Sequence, residues 1–197
     1  MALALSTELE AVNSMLAVIG QAPVNSLPST SSSASPADAV IAENVLTEVN
    51  RSVQLEGWWF NTEENLEIAP DVSNNIIVPG NALRIDTSLE FNNHDFVFRG
   101  GKMYDRKNNT FTITDVIKYH IVLGLEFTDL PEAVRRYIII RSCRVFQDRV
   151  FGSDTVHAYT QEDELRARAE CERAHNNNGD FNMNDDNHSA ESVHRFI

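Results

Sequence analysis

The sequence predicts an α+β protein: a helical bundle of about four helices with an inserted antiparallel β region and an extended polar C-terminal tail. Three observations carry this. Apolar residues recur at helical spacing near both ends of the chain, the middle breaks into short strand-and-turn runs, and the final segment is polar and rich in asparagine. The boundaries this implies are 1–57 for the N-terminal helices, 58–128 for the β insertion, 129–175 for the C-terminal helices, and 176–197 for a tail that docks on a partner.

The first helix is announced by Thr7 and Glu10, a capping box, followed by Leu9, Val12, Leu16 and Ile19 at helical spacing and by Gly20 as a stop. Residues 21–35 read as a loop, with Pro23, Pro28 and a run of serines. Ser35 as N-cap with Pro36 at the first helical position then predicts a second helix, carrying Ile41, Val45, Val49 and Val53 and ending at Gly57.

From Trp58 to about Phe127 the period changes. Phe96–Arg99 and Lys102–Asp105 flank Gly100-Gly101, a two-residue hairpin signal. Asn108-Asn109 marks a second turn before a strand at Thr110–Ile113, and further strands are expected at Ala82–Asp86 and Lys118–Leu123, about six in all. A third helix is expected from Asp129 to about Phe151, most buried at Ile138-Ile139-Ile140. A fourth runs from Asp154 or Thr155 to about Ala174, poor in large apolar residues and rich in pairs such as Glu162/Arg166 and Glu164/Arg168. In an isolated monomer the tail 176–197 is expected to be disordered.

The chain has 197 residues, 42% of them hydrophobic, enough to bury roughly 70% of its unfolded surface. Its net charge of −13 argues against an electrostatic nucleic-acid clamp, which needs a basic stripe. The surplus acid is uneven: −5 over residues 1–60, −4 over 61–128, −1 over 129–175 and −3 over 176–197. Five of the arginines, Arg135, Arg136, Arg141, Arg144 and Arg149, crowd into the third helix, where bidentate ion pairs between copies of the chain are one reading and a solvated basic face is the other. Two cysteines form no disulfide scaffold and point to a reducing compartment. No apolar run approaches the length of about 18 residues needed to cross a membrane, and Met1–Leu5 lack a basic n-region, so neither a span nor a signal peptide is expected.

Catalytic and cofactor motifs are absent: no phosphate-binding loop, no dinucleotide fingerprint, no nucleophile elbow, and histidines without ligand spacing. No cofactor and no metal site is therefore expected. Cys143 sits where a small hydrophobe belongs. Asp180, Asn182, Asn184 and Glu191 imitate a calcium loop, but Asp185 stands where the tight turn needs glycine, so a polar tail is the better reading. Glu63/Glu64 is a nominal acid pair for sugar hydrolysis, a tail-associated polysaccharide hydrolase being the alternative function, although pairs arise by chance among 29 acids. Trp58-Trp59, at a helix-to-strand junction beside Phe60, read as packing rather than a stacking platform.

Several segments together resemble a known family. Glu56-Gly57-Trp58-Trp59-Phe60-Asn61, the run Pro70-Asp71-Val72 with Asn74 and Ile76-Ile77-Val78, and Arg99-Gly100-Gly101 followed by Tyr104-Asp105-Arg106 are similar to signatures of phage tail tubular protein A. So are Leu130-Pro131-Glu132, Phe146-Gln147 with Arg149 and Phe151-Gly152, and the Asn182-Met183 tail. The matches run in the same order over nearly the whole chain, while the serine-rich loop 21–35 and the asparagine-rich end are particular to this sequence.

The resemblance implies a head-to-tail adaptor or gatekeeper of short-tailed, podovirus-type bacteriophages, a virion tail component assembled in the host cytoplasm, with no membrane association. It implies a twelve-fold homo-oligomeric ring between the portal protein and a tail nozzle similar to tail tubular protein B, helping to seat tail fibres while DNA passes through the lumen during ejection. On that reading the residues expected at subunit or partner interfaces are Arg135, Arg136, Arg141, Arg144, Arg149, Glu162, Glu164, Arg166 and Arg168, and none is catalytic.

Overall fold

A computed structural model describes residues 4–31, 35–87, 94–150, 152 and 154–178, with only the backbone for 154–160. Among the described residues four α-helices and five strands follow in order: α1 (Glu8–Val18), α2 (Ala37–Leu55), β1 (Thr62–Ile68), β2 (Ala82–Thr87), β3 (Phe96–Arg99), β4 (Lys102–Asp105), β5 (Ile117–Leu123), α3 (Glu132–Val150) and α4 (Asp154–Asn178). Short 3₁₀ turns at Pro28–Thr30 and Phe127–Asp129 precede α2 and α3. The fold class is α+β, as the sequence predicts.

The Thr7 capping box is present in both directions. Its hydroxyl accepts from the Glu10 N–H, and the Glu10 carboxylate accepts from the Thr7 N–H at 2.8 Å. In α2 the start differs from expectation. Pro36, not Ser35, holds the N-cap position, and no side chain caps the helix. Val45, Val49 and Val53 are buried on one stripe with Ala39, Ala42 and Leu46, whereas Ile41 is exposed.

α1, α2 and α3 pack on one another and α4 packs on α3, enclosing a core of Val12, Met15, Leu16, Leu46, Val134, Tyr137, Ile138 and Phe146. Ile139 and Ile140 are only partly buried, so the apolar centre of α3 is less enclosed than its composition predicts. The helix itself begins at Glu132; Asp129 belongs to the preceding 3₁₀ turn, which Pro131 separates from the α-helix. α4 extends beyond Ala174, so residues 176–178 of the expected tail are helical. The calcium-like segment and the rest of the tail lie outside the described residues.

Three strands form an antiparallel sheet in the order β1-β5-β2, and β3 with β4 makes a separate hairpin. The strand expected at Thr110–Ile113 reduces to one bridge, Asp105 with Thr110, because this segment turns back on the hairpin instead of extending beside it. β1 is a strand that the sequence reading did not anticipate. The β region has its own core of Ile76, Val78, Met103, Ile113 and Ile117. α2 touches β5 and β2, and β2 in turn touches β3.

Candidate functional site

The first place where side chains hold two elements together is the junction after α2. Gly57 has a φ of 82°, a left-handed conformation in which other residues are strained. A Cβ there would lie 2.9 Å from the Arg84 guanidinium and 3.3 Å from both Thr62 and Val122. The chain therefore turns sharply and puts Trp58 into the bundle core, its indole N–H donating to the Val53 carbonyl at 2.7 Å. Asn61 is buried next to it. Its side-chain oxygen accepts from the Trp58 N–H at 2.8 Å, and its amide donates to the carbonyls of Gln54 (2.9 Å) and Leu123 (2.8 Å).

Gln54 completes this seam. Its amide donates to the Leu125 carbonyl at 2.9 Å, and the Leu125 N–H donates back to its side-chain oxygen at 2.8 Å, 71 residues along the chain. Two neutral amide side chains thus supply the backbone partners that neither helix nor sheet provides at the point where they meet. Trp58 and Trp59 also pack edge-on, with ring centroids 6.5 Å apart, and His175 from the end of α4 lies against both rings. The Trp59 N–H donates to His175 Nδ1 at 3.2 Å. Burial lowers the His175 pKa, with nearby Glu172 pulling the other way, so the neutral imidazole fits this acceptor role. These tryptophans are packing residues, as read from the sequence.

The second place is the seam of α3 with α4 and the end of α2. Arg141 meets Glu56 at 3.2 Å and Glu164 at 3.7 Å; Arg144 binds Glu164 and meets Asp148 at 3.2 Å; Arg168 meets Glu56 at 3.2 Å and Glu172 at 2.8 Å. Both Arg141 and Arg168 also donate to the Tyr137 hydroxyl, at 3.0 and 3.4 Å. The carboxylates raise the pKa of Arg144, Glu164 being the largest influence, and that of Arg168, where Glu172 leads. Among its described side chains, α4 buries only the small groups Ala167 and Cys171 in the core, so this half-buried network aligns it on α3. Burial pushes the thiols of Cys143 and Cys171 up to about 12, which leaves them unreactive at neutral pH.

The third place is the hairpin. Asp105 is buried and accepts from the N–H groups of Asp95, Lys107 and Asn108, from the Asn108 amide at 2.7 Å, and lies 2.6 Å from His94 Nδ1. Burial by itself raises its pKa; the hydrogen bonds from His94, Asn108 and Asp95 outweigh that and hold the carboxyl well below its ordinary range. Asp71 does similar work in the turn before Ile76, accepting from Asn75 and Ser73, which lowers its pKa. Ile76 and Val78 then hydrogen-bond along the hairpin, through Met103 N–H to Ile76 and Val78 N–H to Gly101. Two of the separated sequence signatures, 70–78 and 99–106, are thereby one structural unit.

A sequence profile of the tail tubular protein family matches residues 9–181. The chain belongs to the tail tubular protein family. Tail tubular protein A of Klebsiella phage KP34 is 29% identical to it over 159 residues, covering 80% of this chain and 81% of that protein. As a tail tubular protein, this chain is a tail structural protein, and three of the signatures that resemble the family are the structural devices just described: the Gly57–Asn61 junction, the Asp71 turn and the hairpin carrying Asp105.

The interface residues expected for a tail tubular protein fall into three environments. Arg135 is an internal tie rather than a surface donor. It is buried, with its guanidinium donating to the carbonyls of Leu130 (2.8 Å), Ser6 (2.8 Å) and Thr128. Arg141, Arg144, Glu164 and Arg168 belong to the interhelical network. Arg149 grips Glu48 of α2 through two hydrogen bonds of 2.7 Å, while Arg166 pairs with Glu162 on its own helix and Arg136 reaches Glu170 only at 4.0 Å. Glu63 and Glu64 are neighbours on β1 and are both exposed. An apolar cavity lies between the sheet and the hairpin, and its walls, Ile68, Ile76, Val78, Ile85, Met103 and Ile117 among them, include no carboxylate. Sequence reasoning missed Gln54, Asn61, His94 and Asp105. The only advance signal for them was that Asn61 and Asp105 fall inside family-like phrases.

Proposed function

We propose that this tail tubular protein is the ring-forming adaptor between portal and tail nozzle of a short-tailed phage, with DNA passing through its lumen and tail fibres seated against it. The observation that carries the reading is the family match, which extends over residues 9–181 and so takes in all but the first residue of α1, the β region and all of α4. The role is assembly rather than catalysis. A twelve-fold ring is the expected state.

Charge supports it. Duplex DNA carries one negative charge per ~1.7 Å, so a wall with surplus carboxylate repels it and lets it slide, where a basic wall would trap it. With a net charge of −13 this chain suits such a wall. Arg136 and Arg166, with 64% and 69% of their side chains exposed, are the members of the expected interface set most open to a neighbour. Exchanging their exposed intrachain pairs for intersubunit ones costs little.

Native mass spectrometry of the purified protein, alone and with the portal protein of the same virion, tests the proposal. A closed oligomer that binds the portal is expected. A chain that remains monomeric and ignores the portal sinks it, and so does a reconstructed ring whose lumen is basic.

A further inference from the structure

The hairpin is a basic stretch in an acidic chain. Between His94 and Thr110 stand Arg99, Lys102, Arg106 and Lys107 against Asp95 and Asp105. Arg106 pairs with Asp95 at 2.6 Å, and Asp105 is spent inside the turn. Arg99 is exposed, and Lys102 is half-buried, donating to the Asn75 side chain at 3.4 Å, with Asp71 near enough for its charge to be felt there. They are direct cross-strand partners, so both side chains leave the same face of the hairpin. Tyr104 shares that face, with the Arg99 guanidinium 4.1 Å above its ring, and Phe111 packs against the ring edge at 4.7 Å. Ile77, the bridge partner of Lys102, extends the patch at 50% exposed, and Phe111 is 38% exposed. On the opposite face Met103 is buried in the second core and Asp105 in its own turn, while Phe98 is 50% exposed. Cations set among aromatic and aliphatic groups on an uncovered sheet face have the composition of an interface centre.

A counterpart of opposite sign lies elsewhere on the same chain. Residues 1–60 hold six acids and one base, Arg51. Glu8 of α1, Glu43 of α2 and Glu126 converge closely enough that, after burial, the other two carboxylates are what raise the Glu8 pKa. Among the described residues none of the three has an ion-pair partner; Glu43 is held by Ser29. Glu126 is exposed and Glu8 and Glu43 are half-buried, so the three carboxylates present an acidic surface that cations of a neighbour would complement.

We propose that the outward face of the β3–β4 hairpin, Arg99 and Lys102 set among Ile77, Tyr104 and Phe111, docks on the carboxylates at the α1–α2 end of the next copy of this chain. The inference rests on the ring reading and deepens it. The signs decide the geometry. A basic patch cannot pair with itself about a two-fold axis, so the contact is head-to-tail, and head-to-tail contacts that close give rings. Phosphate is the weaker occupant, since two cations gain little against the repulsion of a chain carrying −13.

The test is a charge swap read by native mass spectrometry and sedimentation at low salt, with circular dichroism to confirm folding. Arg99→Glu/Lys102→Glu and, separately, Glu43→Lys/Glu126→Lys each face like charge on like. Each is expected to raise the concentration needed for assembly by at least about tenfold. Mixed in equal amounts, the two variants regain complementary faces at every contact and should form rings in which they alternate, recognisable by mass. Glu126→Lys alone leaves the Glu43–Ser29 contact intact and should weaken assembly in the same direction. If Arg99→Glu/Lys102→Glu assembles like the unaltered chain, this contact is refuted while the ring reading stands. If the mixture is no better than either variant alone, the contact is likewise refuted. If the double variant assembles normally but loses retention on duplex DNA, the face belongs to phosphate and the proposal fails. If the unaltered chain forms no oligomer even with portal present, both readings fall together.

Discussion

Asn61 and Leu123 are joined twice: the Leu123 N–H donates to the Asn61 backbone carbonyl at 2.8 Å, and the Asn61 amide donates back to the Leu123 carbonyl at 2.8 Å. One residue just before β1 therefore completes the end of β5 with both its backbone and its side chain, while its side-chain oxygen holds Trp58 in place.

Replacing that side chain tests how much it carries. Asn61→Ala leaves the Trp58 N–H and the Gln54 and Leu123 carbonyls without their side-chain partner, and a loss of about 2–4 kcal/mol is expected from unmade buried hydrogen bonds. Urea melts followed by tryptophan fluorescence measure it. Asn61→Asp keeps the acceptor but points a carboxylate at two carbonyls, and should be worse.

Two glycines with left-handed backbone separate strain from crowding. Gly20, φ 72°, has open space where a Cβ would stand, so Gly20→Ala should cost only about 1 kcal/mol of backbone strain. Gly57→Ala adds a clash against Arg84, Thr62 and Val122 and should cost at least about twice as much. Matched thermal melts of the two variants decide whether the close approach at Gly57 matters.

Acid should loosen the protein in two steps. The His175 pKa lies below its ordinary value, so the unfolded chain takes up that proton first; its contribution is full above about pH 6.5 and fades as pH falls through the lower folded value. Trp58 and Trp59 report it by fluorescence, and His175→Gln should abolish this titration. Asp105 acts by the same sign at lower pH. Its folded pKa is depressed, so its contribution is complete above about pH 4 and is lost as pH falls further. Stability of the unaltered chain should drop more steeply from pH 4 to pH 2 than that of Asp105→Asn.

Glu164 binds Arg144 and lies 3.7 Å from Arg141, at the centre of the α3–α4 seam. Glu164→Ala leaves two half-buried guanidinium groups short of a partner, at a cost of about 1–2 kcal/mol. Faster amide exchange confined to 161–175, with α1 and α2 unchanged, is the expected signature. Equal acceleration throughout the bundle would show that the seam does not act locally on α4.

What could be read in advance follows the range of the interactions. Thr7 and Glu10 lie three residues apart, so α1's start was visible in the sequence. The Gly100-Gly101 hairpin was visible for the same reason. β1 was not, because Glu63, Glu64 and Asn65 are consecutively exposed and Asn65 sits at φ 55° where the pairing with β5 shifts register; that bulge erases the alternation that marks a strand. The arginine-dense stretch of α3 drew attention as a block, but sequence spacing could not reveal that Arg135 is consumed by carbonyls of residues 6, 128 and 130, whereas Arg136 next to it points outward. Asn61 and Gln54 escaped because amides that satisfy distant backbone groups leave no periodic trace.

The mutual grip of Gln54 and Leu125 also bears on how such a chain can diversify. It brings the two ends of a 71-residue excursion together, so helices before and after it experience the excursion as a closed loop. The entropy of closing a flexible loop grows only logarithmically, about 0.6 kcal/mol for each doubling of length. Insertions and deletions on the far side of that clasp are therefore inexpensive to the bundle, whereas an exchange at Gln54 itself would remove one of the ties that close it.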